Sequence, residues 1–155
     1  MAKEIERKFV VKDDSFKEMA SHHVEIAQCY LSTDKFATIR LRRLDNKGFI
    51  TIKGITTGAS RDEWEYEIPL SDAEEMVAKL TSGWAIEKTR YLVDYMGHRW
   101  EVDEFHGHLK GLILAEVELK SESTEVSLPP FIGEEVTGNP AYYNSELSKK
   151  NRSQS

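Results

Sequence analysis

The sequence predicts a mainly β fold of the α+β class, in which eight antiparallel strands close into a barrel with a charged interior and a few helices flank its outside. Three observations lead to this prediction. Most of the 155 residues alternate at a period of two, short turn signals separate the alternating segments, and acidic and basic residues are segregated by strand. Eight strands enclose a lumen wide enough for side chains and one small ligand.

The period-two alternation defines eight predicted strands, at residues 3–11, 24–33, 36–44, 48–57, 62–69, 85–96, 98–106 and 112–121. Asp45-Asn46-Lys47-Gly48 and Met96-Gly97 lie between neighbouring strands and are typical of tight turns. Such short connections favour antiparallel hairpins, because parallel strands need long crossovers.

Three segments carry helical patterns instead. The first is short, at residues 14–19. In the second, Ser71 is expected to be the N-cap of a capping box with Glu74, and the helix continues to Leu80. The third follows Asn139 and runs to Leu147, with Pro140 in its first turn. We expect a single domain at residues 1–147 and a polar tail at residues 148–155.

Composition excludes several classes of protein. The net charge of −6 argues against a nucleic-acid partner bound by a broad basic face, and against binding to an anionic membrane. The single cysteine, Cys29, excludes an intrachain disulfide framework and a multi-thiolate zinc site. Neither an apolar signal region at the start nor an apolar stretch of membrane-spanning length is present, so we expect a cytoplasmic protein. We expect it to be a monomer or a homodimer.

Seven of the eight predicted strands carry charged residues at positions i and i+2, which share one face of a strand. The basic residues are Lys8, Arg40, Arg42, Lys53, Lys88 and Arg90; the acidic residues are Glu4, Glu6, Glu63, Glu65, Glu67, Glu101, Asp103, Glu116 and Glu118. A solvated sheet surface is the alternative interpretation, but such a surface rarely separates acidic strands from basic ones. The opposite face is apolar and should be covered by helices; it contains Trp64, Tyr66, Tyr91, Trp100, Val117 and Leu119.

An enclosed set of these charges has a defined chemistry. Arginine forks bind phosphate oxygens in bidentate fashion, and lysines act as point charges. Clustered carboxylates favour hard divalent ions, Mg²⁺ or Mn²⁺. Six bases together with a metal ion suit a ligand that carries four or five negative charges. A polyphosphate chain meets this description better than a carboxylate or a sulfate.

The motifs also resemble those of a known family. Glu4-Ile5-Glu6-Arg7-Lys8 is similar to the N-terminal ExExK signature of the CYTH superfamily, the triphosphate tunnel metalloenzymes. The resemblance covers nearly the whole chain, through residues 38–42, 88–92, 100–103, 105–112, 115–119 and 135–138. It implies an eight-stranded antiparallel tunnel and metal-dependent chemistry on triphosphate compounds.

The resemblance also implies roles for individual residues. Glu4, Glu6 and Glu118 would hold the main metal ion, while Asp103 and Glu116 would hold a second ion or orient the attacking water. Lys8, Arg40, Arg42, Lys53, Lys88 and Arg90 would bind phosphates, with Lys8 also counted among the catalytic candidates. Glu65 and Glu67 would be tunnel acids, which either contact metal or brace the bases.

The expected activity is hydrolysis of the terminal phosphoanhydride of inorganic triphosphate, with nucleoside and thiamine triphosphates as further candidate substrates. A class IV adenylate cyclase is one alternative, and a non-catalytic polyphosphate- or nucleotide-binding module is another. Cys29 is interpreted as a packed residue, and His106 and His108 as turn or surface residues. For Tyr30, packing and a place near a tunnel mouth both stay open.

Overall fold

The computed structural model describes residues 2–149 and contains nine strands and three α-helices. The strands are β1 (Ala2–Val11), β2 (His22–Asp34), β3 (Ala37–Leu44), β4 (Lys47–Lys53), β5 (Ser60–Ile68), β6 (Ile86–Tyr95), β7 (His98–Phe105), β8 (Ile113–Glu118) and β9 (Ile132–Glu135). The helices are α1 (Phe16–Met19), α2 (Leu70–Leu80) and α3 (Asn144–Leu147), and 3₁₀ turns span Gly107–Leu109 and Pro140–Tyr142.

Eight of the strands close into an antiparallel barrel, which confirms the predicted fold class. Around the barrel the order is β1-β5-β4-β3-β2-β6-β7-β8, and β8 pairs with β1 to complete the circle. The sequence did not predict the short β9, which pairs with the end of β1 on the side where β5 pairs with its beginning. The eight predicted strands all exist, with ends that differ by a few residues.

The registers bring the charged inward faces of distant segments together. Glu6 lies opposite Glu118, and Lys8 lies opposite Glu116, across the β1–β8 pair. Arg90 lies opposite Asp103 in the neighbouring β6–β7 pair. Because residues two apart share a face, each of these pairs fixes the orientation of its whole strand.

The outer face of the barrel is apolar and mostly covered. Trp100 and Val117 are fully buried with Phe9, beneath Phe16 of α1 and Phe131. On the other side, Val77 of α2 packs on β2 and β3. The predicted cover fails at Tyr66 of β5, which is 58% exposed, whereas α2 packs mainly against β4 and β3. Part of the cover also comes from the irregular segment around Val126 and Phe131 rather than from helices.

The predicted capping box of α2 is wrong. The helix begins at Leu70, Pro69 is the N-cap, and no side chain caps it. The Pro69 carbonyl accepts the amides of Asp72 and Ala73 at 2.9 and 3.1 Å. Proline fixes the extended backbone before the first turn, so the helix begins before Ser71 can serve as its cap.

The predicted C-terminal helix is divided into two turns. The 3₁₀ turn Pro140–Tyr142 is capped by the Asn139 side chain, which accepts the Ala141 amide at 3.1 Å, and extended backbone at Tyr143 separates this turn from α3. Of the predicted tail, residues 150–155 lie outside the described residues, while Ser148 is buried and donates to the Ser145 carbonyl. Among residues 2–149, no helix combines the length and the apolar character that a membrane span requires.

Candidate active site

The inward faces of the strands enclose a cavity of about 210 Å³. Charged and polar side chains line it, namely Glu4, Glu6, Lys8, Tyr30, Thr38, Arg40, Arg42, Lys53, Thr56, Arg61, Glu63, Glu65, Arg90, Glu101, Glu116, Glu118, Thr137, Tyr143, Asn144 and Ser145. The charges therefore converge on an enclosed space, and the alternative of a solvated outer surface is wrong for these residues.

The two signs of charge occupy opposite sides of the barrel. Four adjacent strands, β7, β8, β1 and β5, carry all seven carboxylates of the described cavity lining together with Lys8 and Arg61, and we call them the acid wall. The other four, β6, β2, β3 and β4, carry Arg90, Arg40, Arg42 and Lys53, and we call them the base wall. A cation and an anion can thus bind side by side within one lumen.

The arginines of the base wall retain unused hydrogen-bond donors. Arg42 and Arg40 donate to Glu65 at 3.0 and 3.4 Å, and Thr51 donates to the same oxygen at 2.8 Å. The Nε atoms of Arg40 and Arg42 are buried without a hydrogen-bond partner among residues 2–149. Burial, followed by the neighbouring cations Arg40 and Arg90, lowers the pKa of Arg42 to about 9. An anion in the cavity would compensate this excess of positive charge around Arg42.

The acid wall instead carries an excess of negative charge. Burial raises the pKa of Glu6 well above its usual range, and the carboxylates of Glu116 and Glu4 raise it further. Burial, followed by Glu4 and then Glu101, likewise raises the pKa of Glu118. For Glu116, burial is outweighed by the Lys8 and Arg90 cations and by a hydrogen bond from Glu6, so its pKa is lowered. A divalent cation would relieve the repulsion among these carboxylates.

Two lysines hold carboxylates of the acid wall. Lys53 Nζ donates to both oxygens of Glu4 at 3.0 and 3.1 Å, and it lies 3.5 Å from Glu63. Lys8 Nζ lies 3.4 Å from Glu116 and donates to the Tyr142 carbonyl at 3.0 Å. Both lysines therefore neutralise part of the negative charge of the acid wall.

Lys88 and Asp103 lie behind the cavity rather than on its lining. Asp103 accepts two hydrogen bonds from Arg90, at 2.8 and 3.0 Å, and lies 2.8 Å from Lys88 Nζ. Lys88 also donates to the Asn144 side chain at 3.0 Å. Although burial opposes it, the Arg90 and Lys88 cations lower the pKa of Asp103 to about 2. This buried network holds the Arg90 guanidinium at the edge of the cavity.

Comparison with known proteins identifies the family to which the chain belongs. The family model described as CYTH domain matches residues 2–153. The chain belongs to the CYTH domain family.

Relatives of this CYTH domain match along almost their whole length. A protein of Acetivibrio thermocellus named inorganic triphosphatase is 46% identical over 149 residues, which cover 96% of this chain and 95% of the relative. A Nitrosomonas europaea protein of the same name is 40% identical over 151 residues, covering 94% and 96%. A crystal structure described as that of an inorganic triphosphatase superimposes with a TM-score of 0.67 at 35% identity, covering 96% of this chain and 95% of that one.

Most of the site residues expected from the sequence do line the cavity of this CYTH domain. They are Glu4, Glu6, Lys8, Arg40, Arg42, Lys53, Glu65, Arg90, Glu116 and Glu118. Lys88 and Asp103 are buried behind it, and Glu67 is exposed and absent from the lining. Glu65 forms ion pairs with Arg40 and Arg42, as a bracing role requires.

Sequence reasoning did not select Arg61, Glu63 or Glu101 as site residues, although all three line the cavity. Glu63 and Glu101 had been placed on charged strand faces and could have been selected by their i, i+2 spacing to Glu65 and Asp103. Arg61 has the same spacing to Glu63, but the predicted strand began one residue too late to include it. The contributions of Tyr143, Asn144 and Ser145 depend on the path of the C-terminal segment and had no sequence signal.

The acid wall has the donor chemistry of a divalent metal site but is not arranged as one. Among residues 2–149, no three carboxylate, histidine or cysteine side chains are grouped so as to hold a metal ion. Burial nevertheless combines with Glu116 and Glu4 to raise the pKa of Glu6, and with Glu4 and Glu101 to raise that of Glu118. All-oxygen sets of this kind fit Mg²⁺ or Mn²⁺.

Proposed function

We propose that this CYTH domain hydrolyses the terminal phosphoanhydride of inorganic triphosphate and depends on Mg²⁺ or Mn²⁺. The two relatives named inorganic triphosphatase support the substrate. The observation that carries the proposal is the separation, around one cavity, of an acid wall from a base wall whose Arg40, Arg42 and Arg90 line that cavity. A triphosphate bound to a metal ion offers both the negative oxygens and the positive charge that the two walls need.

The base wall would bind the substrate. The guanidinium groups of Arg40 and Arg42 line the cavity, and Glu65 holds one nitrogen of each, so both cations are positioned for phosphate oxygens. Arg90 enters the cavity with its orientation fixed by Asp103. Lys8, within the acid wall, and Lys53, at its border with the base wall, add further positive charge. Phosphoryl transfer needs little covalent chemistry from a protein, so this positioning and charge neutralisation supply most of the rate enhancement.

The acid wall would hold the metal. Glu4, Glu6 and Glu118 are the expected ligands of the main ion, and Glu116 is placed to assist. When bound, the ion would lower the pKa of a water molecule and neutralise charge on the phosphates. We assign Asp103 to the orientation of Arg90 rather than to a second metal ion, because both of its oxygens accept hydrogen bonds from Arg90.

In the proposed reaction, a water oxygen attacks the terminal phosphorus in line, and the bond from that phosphorus to its bridging oxygen breaks. The products are phosphate and diphosphate. The water proton would pass to the Glu116 carboxylate, which lies in the cavity beside the expected metal ligands Glu6 and Glu118. No nucleophilic side chain is required, and Cys29 is buried in the packing beneath α2.

A substrate panel tests this proposal. Inorganic triphosphate, diphosphate, ATP and thiamine triphosphate are each incubated with Mg²⁺, with Mn²⁺ and with EDTA, and free phosphate and diphosphate are measured separately. We expect equal amounts of phosphate and diphosphate from triphosphate, and none in EDTA. Diphosphate together with a cyclic nucleotide from ATP would instead support the cyclase alternative, which the relatives do not favour. Tight binding without turnover in either metal would support the binding-module alternative.

The single domain at residues 1–147, the cytoplasmic location and the monomeric or homodimeric state stay predictions from the sequence.

A further inference from the structure

Arg61 differs from every other cation that lines the cavity. Lys8, Arg40, Arg42, Lys53 and Arg90 each have a carboxylate within 4.0 Å. In the part of the chain that the structure describes, Arg61 has no ion pair. Its full charge is therefore directed at the cavity without a neutralising partner.

Neutral groups hold the Arg61 guanidinium in place. Its Nε and Nη2 atoms donate to the Gly54 carbonyl at 3.1 and 2.9 Å, and Nη2 lies 3.4 Å from the Thr38 hydroxyl. These contacts use one edge of the guanidinium and leave Nη1 without a protein partner among the described residues. Carbonyl and hydroxyl acceptors orient an arginine without cancelling its charge, as a site for an anion requires.

The position of Arg61 extends the row of arginines on β3. Thr38, Arg40 and Arg42 share the inward face of that strand, and successive residues on one face are ~6.8 Å apart. Because Arg61 contacts Thr38, its guanidinium lies at the step beyond Arg40. Arg42, Arg40 and Arg61 thus form a line along the lumen, which suits an extended chain of anionic groups rather than a compact anion.

We propose that Arg61 is a further phosphate-binding residue that contacts the end of the polyphosphate chain and makes the site select triphosphate over diphosphate. This inference rests on the proposed function, because it assumes that the cavity binds a polyphosphate. A diphosphate can reach Arg42 and Arg40 but leaves Arg61 unused, whereas a triphosphate reaches all three.

The test compares Arg61→Gln, Arg61→Lys and Arg99→Gln with the unsubstituted protein. Arg99 is a matched control, because it carries the same charge but is exposed and paired with Asp94 outside the cavity. Affinities for inorganic triphosphate and diphosphate are measured as Kd by calorimetry in EDTA, at low and high salt, and as KM for triphosphate in Mg²⁺. Thermal midpoints verify folding.

We expect Arg61→Gln to weaken triphosphate affinity about 10-fold or more, and diphosphate affinity much less. Arg61→Lys should fall between, and Arg99→Gln should match the unsubstituted protein. The affinity of Arg61→Gln should also depend less on salt, because one contact between opposite charges is lost. A merely structural role, exerted through the loop at Gly54, would instead weaken both ligands equally.

Unchanged triphosphate affinity in Arg61→Gln, or equal losses for the two ligands, would overturn the inference. The proposed function can fail separately. Triphosphate binding without turnover would overturn the hydrolase and still support Arg61 as a ligand-binding residue. Neither binding nor turnover in the unsubstituted protein would overturn both.

Discussion

The acid wall and the base wall use the same barrel in different ways. On the base wall, Arg40 and Arg42 share the single carboxylate of Glu65 and Lys53 meets Glu4, so ion pairs orient all three cations although an excess of positive charge remains around Arg42. On the acid wall, Glu6 and Glu118 have raised pKa values because burial and neighbouring carboxylates both oppose their ionisation. The base wall is therefore largely pre-organised, whereas the acid wall needs an added cation to be fully ionised.

The largest expected effect on activity comes from replacing Glu118, whose carboxylate is a proposed ligand of the metal ion. Glu118→Gln should lower kcat for triphosphate by at least about 100-fold, because a proposed metal ligand is lost. Glu67→Gln is the matched control, since Glu67 is exposed and absent from the cavity lining. Phosphate release in saturating Mg²⁺ measures both. Equal activity of the two variants would remove Glu118 from the metal site.

The second prediction separates Asp103 from the other carboxylates. Asp103→Asn leaves Lys88 and Arg90 buried without their carboxylate, and it should lower the unfolding free energy by about 3–5 kcal/mol. Denaturant unfolding in EDTA measures the change. Asp94→Asn, which breaks an exposed ion pair with Arg99, should have little effect.

This outcome tests the assignment of Asp103 directly. If Asp103 were a metal ligand that repels its neighbours, then its replacement would leave stability in EDTA unchanged or raise it. Such a result would support Asp103 as a metal ligand rather than as the residue that orients Arg90.

The third prediction uses two arginines of one strand. Arg40→Ala should raise KM and lower kcat for triphosphate, together by about 10- to 100-fold in kcat/KM, because its guanidinium should bind both the ground state and the transition state. Arg43 lies three positions along β3 on the opposite face, where it stacks 5.5 Å from the Trp84 ring. Arg43→Ala should leave the kinetics near those of the unsubstituted protein, and similar losses in both variants would point to a general effect of charge.

The smallest expected effect is a pH dependence of stability. The folded-state pKa of Glu6 is raised, so its contribution to stability is complete below the ordinary glutamate value of ~4.3 and is lost as the pH rises through the folded-state pKa. In EDTA, the thermal midpoint of the unsubstituted protein should therefore fall with rising pH relative to that of Glu6→Gln. Mg²⁺ should suppress the difference. Parallel midpoints of the two proteins in EDTA would contradict the repulsion between Glu6 and its neighbours.

The strand pattern was predictable because alternation is a local property. Glu4, Glu6 and Lys8 share a face whatever β1 pairs with, and the same holds for Arg40 and Arg42 on β3. Pairing partners were not predictable in the same way. Lys53 neutralises Glu4, which lies 49 positions away, and this contact exists only because β4, β5 and β1 are neighbours in the closed barrel.

At several positions the tertiary structure overrode what the local sequence predicted. The capping box at Ser71 gave way to Pro69, whose backbone conformation started the helix earlier. Lys88 has the inward orientation that its strand predicts, but Asn144 of the C-terminal segment lies against it and separates it from the cavity. Glu67 lies on the same face of β5 as Glu65, yet it is exposed and does not line the cavity.

The sequence by itself determined which side chains face inward, and with them the presence of an enclosed set of acids and bases, because side-chain direction in a strand depends only on a period of two. The tertiary structure alone decided which charges neutralise one another and which are left for ligands. That outcome depends on the order of strands around the barrel and on burial, which bring together residues from opposite ends of the chain. Arg61 illustrates the point, since no neighbour in the sequence reveals that it lacks a carboxylate partner among residues 2–149.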